Sequence, residues 1–405
     1  MNIYKQNIHS ITEYLKKGCK DTNQGAVGVE IEHFVCNKNG ECMPYRNGVE
    51  YIMEKIAPHF KKHIYSEGFL IGLSCDDYHI TLEPGAQIEI SIMPSSDLAK
   101  IEGIYNNFLS IVNPVLEEKG YRLVCTGYLP IQKAEQISLI PKKRYEFMDM
   151  YFKSTGICGK NMMRGTASTQ VSIDFINEDD CIKKLKYANI LSPILALICD
   201  NSPIFEGKPF IANTLRSYIW NNVDNERCGI VDCNSFEEYA EYIYNSPAIL
   251  ISKNNDFSFT GSKKICDIYN DTILTESEIE HLLSMFFPDV RLKQYLEIRP
   301  ADSMPIKYVL AYSALIKGLF KNSNEIFNNI STEQIEEAKK QIILHGFYGD
   351  VYGMKAYEAA ELIYETSYNN LSEKDRTYLT VLKEIIYGKK TLKETISFAE
   401  GRGIL

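Results

Sequence analysis

This chain holds few of the residues around which familiar cofactor sites are built. It has one tryptophan and seven histidines in 405 residues. Neither Gly-x4-Gly-Lys-[Ser/Thr] nor Gly-x-Gly-x-x-Gly occurs, which disfavours P-loop and dinucleotide-binding folds. No apolar stretch reaches the ~18 residues of a membrane span. The opening Met-Asn-Ile-Tyr-Lys-Gln-Asn lacks the apolar centre of a secretory signal. Eleven cysteines are scattered without Cys-x-x-Cys or zinc-like Cys/His spacing, so reduced core thiols and a cytoplasmic location are expected. Basic charge is missing as a block. Forty-four Lys and Arg face fifty-three Asp and Glu, for a net charge of −9. Pairs such as Lys61-Lys62 and Lys183-Lys184 are dispersed, which argues against a nucleic-acid partner. What is present is apolar: 45% hydrophobic residues, enough to bury the core of one large domain or two ordinary ones.

Spacing then orders the chain. Ile8, Ile11 and Leu15 predict a helix over 3–18, and a second covers 48–60. Leu98, Ile101, Tyr105, Phe108 and Val112 mark a long amphipathic helix over 96–119, followed by a strand at 121–127. Residues 178–199 read as a helix, and 200–234, dense in Gly, Pro, Asn and Asp, as a long irregular stretch of the kind that is often functional. Beyond 305 the chain reads as almost wholly helical, with Ser331-Thr-Glu-Gln334 a capping box opening a helix to about His345. No repeat or Pro-rich linker divides the chain. The expected organisation is a catalytic domain over 1–305 with 306–405 as its helical C-terminal part.

Four strand-like segments share one design. In Val27-Gly-Val-Glu-Ile-Glu-His-Phe34, Glu30 and Glu32 lie on one face and Val29 and Ile31 on the other. Gln87, Glu89 and Ser91 alternate with Ile88, Ile90 and Ile92, with Glu83 just before the Pro84-Gly85 turn. Gln170, Ser172 and Asp174 alternate with Val171, Ile173 and Phe175, and Glu297 and Arg299 with Leu296 and Ile298. Such strands suit an α+β fold, a curved antiparallel sheet with helices on its apolar face and an acidic opposite face. Alternation alone leaves open a merely solvated face. A shared acidic face is costly, because two unit charges about 4 Å apart repel by about 4 kcal/mol at an effective dielectric near 20. Such a face must keep protons or bind cations. Oxygen donors with few histidines favour Mg²⁺ or Mn²⁺, and Mg²⁺ usually shares its shell with phosphates, which implies a nucleotide. His33 falls on the opposite face, with a core or surface role.

These residues also carry a resemblance. Gly28-Val-Glu-Ile-Glu-His-Phe34, Leu82-Glu-Pro-Gly-Ala-Gln-Ile-Glu-Ile-Ser91, Arg144-Tyr145 and Asn161-Met-Met163 come first in order. Thr166 to Phe175, Asn201-Ser-Pro203, Arg216-Ser-Tyr-Ile-Trp220, Asp224 with Arg227, and Val290 to Asp302 follow. As a set they resemble the plant-type glutamate–cysteine ligases, a branch of the glutamine synthetase-like carboxylate–amine ligases. The resemblance implies a metal-binding set of Glu30, Glu32, Glu83, Glu89, Gln170 and Glu297, with Mg²⁺ or Mn²⁺ and ATP as co-substrate. It implies that glutamate is activated as a γ-glutamyl phosphate and captured by the amine of cysteine. Arg299 is assigned to the transferring phosphoryl group and Arg216 to the glutamate carboxylate, the two catalytic candidates. Arg227, Arg291, Tyr218 and Trp220 join Arg216 as substrate-binding candidates, since planar guanidinium forks suit carboxylates and phosphates. Two departures from the family pattern, Pro300 where glycine is usual and Gly85-Ala86 for Gly-Gly, spare every charged group. They leave open a sister ligase using a different amine, and a non-catalytic cation- or nucleotide-binding relative. The expected partners are small molecules, with neither nucleic acid nor membrane.

Overall fold

The computed structural model describes residues 2–22, 25–253, 256–321 and 326–399; Met1 and 400–405, the ends of the expected 1–305 and 306–405 parts, lie outside it. Alternation decides the strands. In β1 (Val27–Asn37) Val27, Val29 and Ile31 are buried on one side while Glu30 and Glu32 turn to the other. Eight further strands join it: β2 (Lys62–Ser66), β3 (Phe69–Ser74), β4 (Tyr78–Leu82), β5 (Ile88–Ser95), β6 (Tyr121–Val124), β7 (Ser168–Ile173), β8 (Val290–Leu292) and β9 (Leu296–Asp302). Among the described residues they form one nine-stranded sheet in the order β8-β9-β7-β1-β5-β4-β3-β2, with β6 on the far end of β1. Every pairing in it is antiparallel.

The four acid-bearing segments are therefore neighbours, β9-β7-β1-β5. Register aligns their polar residues across the sheet. Glu30 sits opposite Gln170 on one side and Ser91 on the other, Glu32 opposite Glu89, and Glu297 opposite Ser172. A one-residue slip would swap every acid with an aliphatic neighbour, so burial of the other face holds this register. Beneath that face lie the Leu98–Glu118, Glu178–Ile198 and Ile306–Leu319 helices. The first is capped by Asp97 and buries Ile101, Tyr105, Phe108 and Val112 at helical spacing. His33 is fully buried there, its ring nitrogens 3.1 Å from the Ile88 carbonyl and 2.8 Å from the Tyr105 hydroxyl. Of the core and surface roles left open for it, the fold gives it the core.

The stretch 200–234 is more ordered than its composition implies. It contains a small hairpin (Ile204–Phe205 with Lys208–Pro209) and the short Leu215–Trp220 and Asn225–Cys228 helices. Helices of one turn or so have too few residues to show a period. The Thr332–His345 helix opens on the expected Ser331–Gln334 capping box. A two-residue hairpin, Asp350–Val351 with Met354–Lys355, interrupts the otherwise helical C-terminal part.

One glycine is demanded by a close approach. A Cβ on Gly127 would overlap the carboxyl group of Asp302 at the end of β9 and the hydroxyl of Ser202. Gly127→Ala should therefore destabilise the fold by about 1–3 kcal/mol, read as a lowered denaturant midpoint with unchanged slope; a midpoint equal to the parent's would show that Asp302 is free to move.

Candidate active site

The acidic face of the sheet is roofed by short helices. Lys143–Phe152 lends Arg144, Tyr145 and Met148, Gly159–Gly165 lends Met162 and Met163, and Leu215–Trp220 lends Arg216 and Trp220. Between roof and sheet lies a cavity of about 240 Å³. Glu30, Glu32, Glu83, Glu89 and Gln170 line its floor, with Arg291, Lys293 and Arg299 at one edge. Met148, Met162, Met163, Trp220 and Phe287 give the opposite wall its apolar character.

Two electrostatic regimes divide this floor. Glu297 is fully buried and does not reach the cavity. Its Oε2 accepts from Arg291 at 2.6–2.8 Å and from Arg299 at 2.8 Å, and Lys293 Nζ lies 3.4 Å from Oε1. Burial works against its charge, but Arg291, Lys293 and Arg299 together hold its carboxyl well below the usual range. Glu297, expected among the metal ligands, is paired in this fold with Arg291, Lys293 and Arg299, its strand partner Arg291 covering it at the sheet edge.

The other carboxylates lack such compensation. Burial, then Glu89 and Glu297, push Glu30 up to about 8. Burial, Glu89 and Glu32 push Glu83 well above its ordinary value. Glu89 is raised by burial and Glu32, against hydrogen bonds from Thr81 (2.6 Å) and Ser91 (3.1 Å). Glu32 is raised by burial despite Arg216 nearby and bonds from the Ser168 N–H and hydroxyl, both 2.8 Å. Among the described residues nothing hydrogen-bonds to the carboxylates of Glu30 or Glu83. Nor does any group of three or more acidic, His or Cys side chains stand close enough to chelate a metal ion as placed. The donor set is nevertheless one of hard oxygens crowded on one face with too little positive charge, which fits a hard divalent cation.

Gln170 bridges the regimes. Its amide donates to Glu32 at 3.2 Å while its oxygen accepts from Arg299. Arg216 reaches the cavity with NH1 donating to the Ala301 carbonyl at 2.8 Å and lying 3.8 Å from Asp302. Its Nε has no acceptor, nor does that of Arg144.

Of the substrate-binding candidates, Arg216, Arg291 and Trp220 line the cavity. Arg227 and Tyr218 do not. Arg227 is fully buried, faces Asp224 at 3.4 Å and donates to the carbonyls of Met285 and Pro247. It fastens segments together, and Tyr218 packs against Phe205 and Phe210. Sequence reasoning left Arg144, Lys293, Phe287 and the three methionines unassigned. Arg144 and Lys293 stood inside the motif segments, and that was the available signal. The methionines carry no polar pattern and read as core.

The sequence model of a family described as Glutamate-cysteine ligase family 2 (GCS2) matches residues 26–326. The chain is 30% identical over 391 residues to glutamate–cysteine ligase B, chloroplastic, of Oryza sativa subsp. japonica, spanning 92% of this chain and 79% of that one. It is 32% identical over 323 residues to the chloroplastic glutamate–cysteine ligase of Nicotiana tabacum, spanning 76% of this chain and 62% of the relative, less than two thirds of its length. A bifunctional glutathione synthetase from Pasteurella multocida superposes with a TM-score of 0.56 at 15% identity, over 97% of this chain and 52% of that one. That last likeness is one of fold alone.

The two regimes respond oppositely to charge. Folded Glu30 keeps its proton up to about pH 8, whereas unfolded it releases it near 4.5. Stability from that proton falls as pH rises between these values, and the raised Glu32, Glu83 and Glu89 act in the same direction. Depressed Glu297 contributes above 4.5 and loses its contribution as pH falls. In chelator the melting temperature should therefore drop from about pH 5.5 to about pH 8, and Mg²⁺ or Mn²⁺ should raise it more at the higher pH. Equal shifts at both would sink the cation assignment. Glu297→Gln should cost about 3–5 kcal/mol by stranding its cations, while Glu30→Gln should stabilise the metal-free protein.

Proposed function

This chain belongs to glutamate–cysteine ligase family 2, and on that premise we propose that its acid-floored cavity joins the γ-carboxylate of glutamate to the amine of cysteine with hydrolysis of ATP. The γ-carboxylate oxygen attacks the γ-phosphorus of ATP, ADP leaves, and a γ-glutamyl phosphate results. The cysteine amine then attacks its carbonyl carbon, phosphate leaves with the bonding electrons, and the amine loses a proton, giving γ-glutamylcysteine. The substrates are small molecules. The eleven free cysteines suit a reducing compartment.

No protein nucleophile takes part, so the chain supplies position and field. Arg216 holds a glutamate carboxylate, its unpaired Nε offering one arm of a fork. Arg144 offers a second unpaired Nε on the roof. Arg299, braced by Glu297 and Gln170, receives the charge that spreads over the transferring phosphoryl oxygens. The wall of Trp220, Phe287 and methionines keeps water from the acyl phosphate. Glu30, Glu32, Glu83 and Glu89 would hold Mg²⁺ or Mn²⁺, which would neutralise charge on the phosphates. The observation that carries this reading is a floor of under-compensated carboxylates facing arginines whose donors are not used up.

The acceptor end departs most from the family pattern. Ala86, in the place of the second glycine, adopts φ 67°, a left-handed conformation that costs a side chain about 1–2 kcal/mol. Pro300 sits at the register shift between β9 and β7, where no ladder bond is needed. Both reshape backbone and spare the activation chemistry.

ADP release measured with each amino acid omitted in turn should require both glutamate and cysteine. A glutamate requirement indifferent to cysteine would assign another acceptor, and release needing neither would sink the ligase reading. Glu30→Gln should lower kcat by about 10²-fold or more with an unchanged circular dichroism spectrum; near-normal turnover would remove Glu30 from the machinery.

A further inference from the structure

Two buried lysines of the C-terminal part reach behind the two arginines assigned to catalysis. Lys393, in the Leu392–Ala399 helix, donates from Nζ to Asp200 Oδ2 at 2.9 Å and to the Ala212 carbonyl at 2.7 Å. Its backbone N–H donates to the Asp200 carbonyl at 2.9 Å. Asp200 is fully buried, and its Oδ2 also accepts the Thr214 N–H at 2.9 Å. Thr214 caps the Leu215–Trp220 helix in a left-handed conformation, φ 49°, which persists only where the surroundings over-determine it. Lys393 thereby closes both stems of segment 200–214, and Arg216 follows on the first turn of the helix.

Lys339, in the Thr332–His345 helix, is 3% exposed and lies 2.9 Å from Asp289 Oδ2, which also accepts from Ser192 at 3.3 Å. The Asp289 carbonyl accepts the Arg299 backbone N–H at 2.8 Å. That bond sets Arg299 at the point where β9 leaves register with β7. Neither lysine lines the cavity, and both lie beyond residue 326, where the family match ends.

We propose that Lys393 and Lys339 are positioning residues for the ligase reaction, one for each arginine: Lys393 holds Arg216 on glutamate, and Lys339 holds Arg299 on the transferring phosphoryl group. The proposal rests on the ligase reading above. A buried carboxylate that loses its ammonium either takes a proton or seeks water. In both cases the backbone N–H and carbonyl groups it orders lose their anchor. A shift of about 1 Å at a substrate-holding group is enough to cost about 10²-fold in rate.

The test compares the charge-neutral pairs Asp200→Asn/Lys393→Met and Asp289→Asn/Lys339→Met, in the full chain, with Arg216→Lys and Arg299→Lys. Removing both charges together avoids the lone buried charge that would unfold a single variant, and thermal melts confirm the fold. The first pair should raise the glutamate KM by about 10-fold or more with kcat within about threefold, as Arg216→Lys does. The second should lower kcat by about 10-fold or more with the glutamate KM within about threefold, as Arg299→Lys does. Lys393→Arg should recover most of the glutamate affinity. If the arginine variants show these effects but either lysine pair keeps parental constants, or both pairs change the constants alike, the proposal is overturned. Silent arginine variants would overturn the site reading itself, and this proposal with it.

Discussion

Carboxylates cannot be gathered on a half-buried sheet face unless something answers their charge, and the rest of this molecule is arranged around that constraint. The answer differs across a few ångströms. At the β8–β9 edge the protein supplies its own cations, and Arg291, Lys293 and Arg299 keep Glu297 ionised. Over β1, β4 and β5 it withholds them, and Glu30, Glu83 and Glu89 are pushed toward the protonated form. The uncompensated region is where a cation from outside has most to gain. The compensated region is where a fixed arginine can be held without a metal.

Position in this site depends on layers behind it. The apolar face of the sheet is sealed by helices, which fixes register and so aims the acids. The roof comes from short helices whose own hydrogen bonding is too slight to hold them. Buried ion pairs flank the site: Asp200 with Lys393 and Asp224 with Arg227 beside the Leu215–Trp220 helix, and Asp289 with Lys339 behind β9. Buried pairs contribute little net stability compared with apolar replacements, yet breaking one is severe. Here they serve geometry.

Much of the floor was legible in the chain. Glu30 with Glu32, Gln87 with Glu89 and Gln170 with Ser172 share faces because a strand has period two, and no tertiary information is needed to say so. The same rule put His33 on the opposite face, which the fold buries. Glu297 obeyed the rule, but the cations that answer its charge could not be read from its own strand alone, since Arg291 stands on a neighbouring one. Arg227 looked like an anion fork and is a buried fastener, since nothing in its local sequence records that Met285 and Pro247 point carbonyls at it. Arg144 and Lys293 went unassigned for the mirror-image reason. Each needed neighbours from elsewhere to become part of a cavity.

The sequence by itself determined the four acid-bearing strands, which face of each would be acid, the long helices at 98–118 and 178–198, and the family to which the chain belongs. Those properties are local, written in the two- and 3.6-residue periods and in motif order. Tertiary structure alone decided that the four segments adjoin, which carboxylates are answered by the protein's own cations, and that lysines near the end of the chain stand behind the site. Electrostatic interaction depends on distance in space and on burial. Lys393 and Asp200 lie almost two hundred residues apart in sequence yet 2.9 Å apart in the fold, a relation that periodicity has no means of recording.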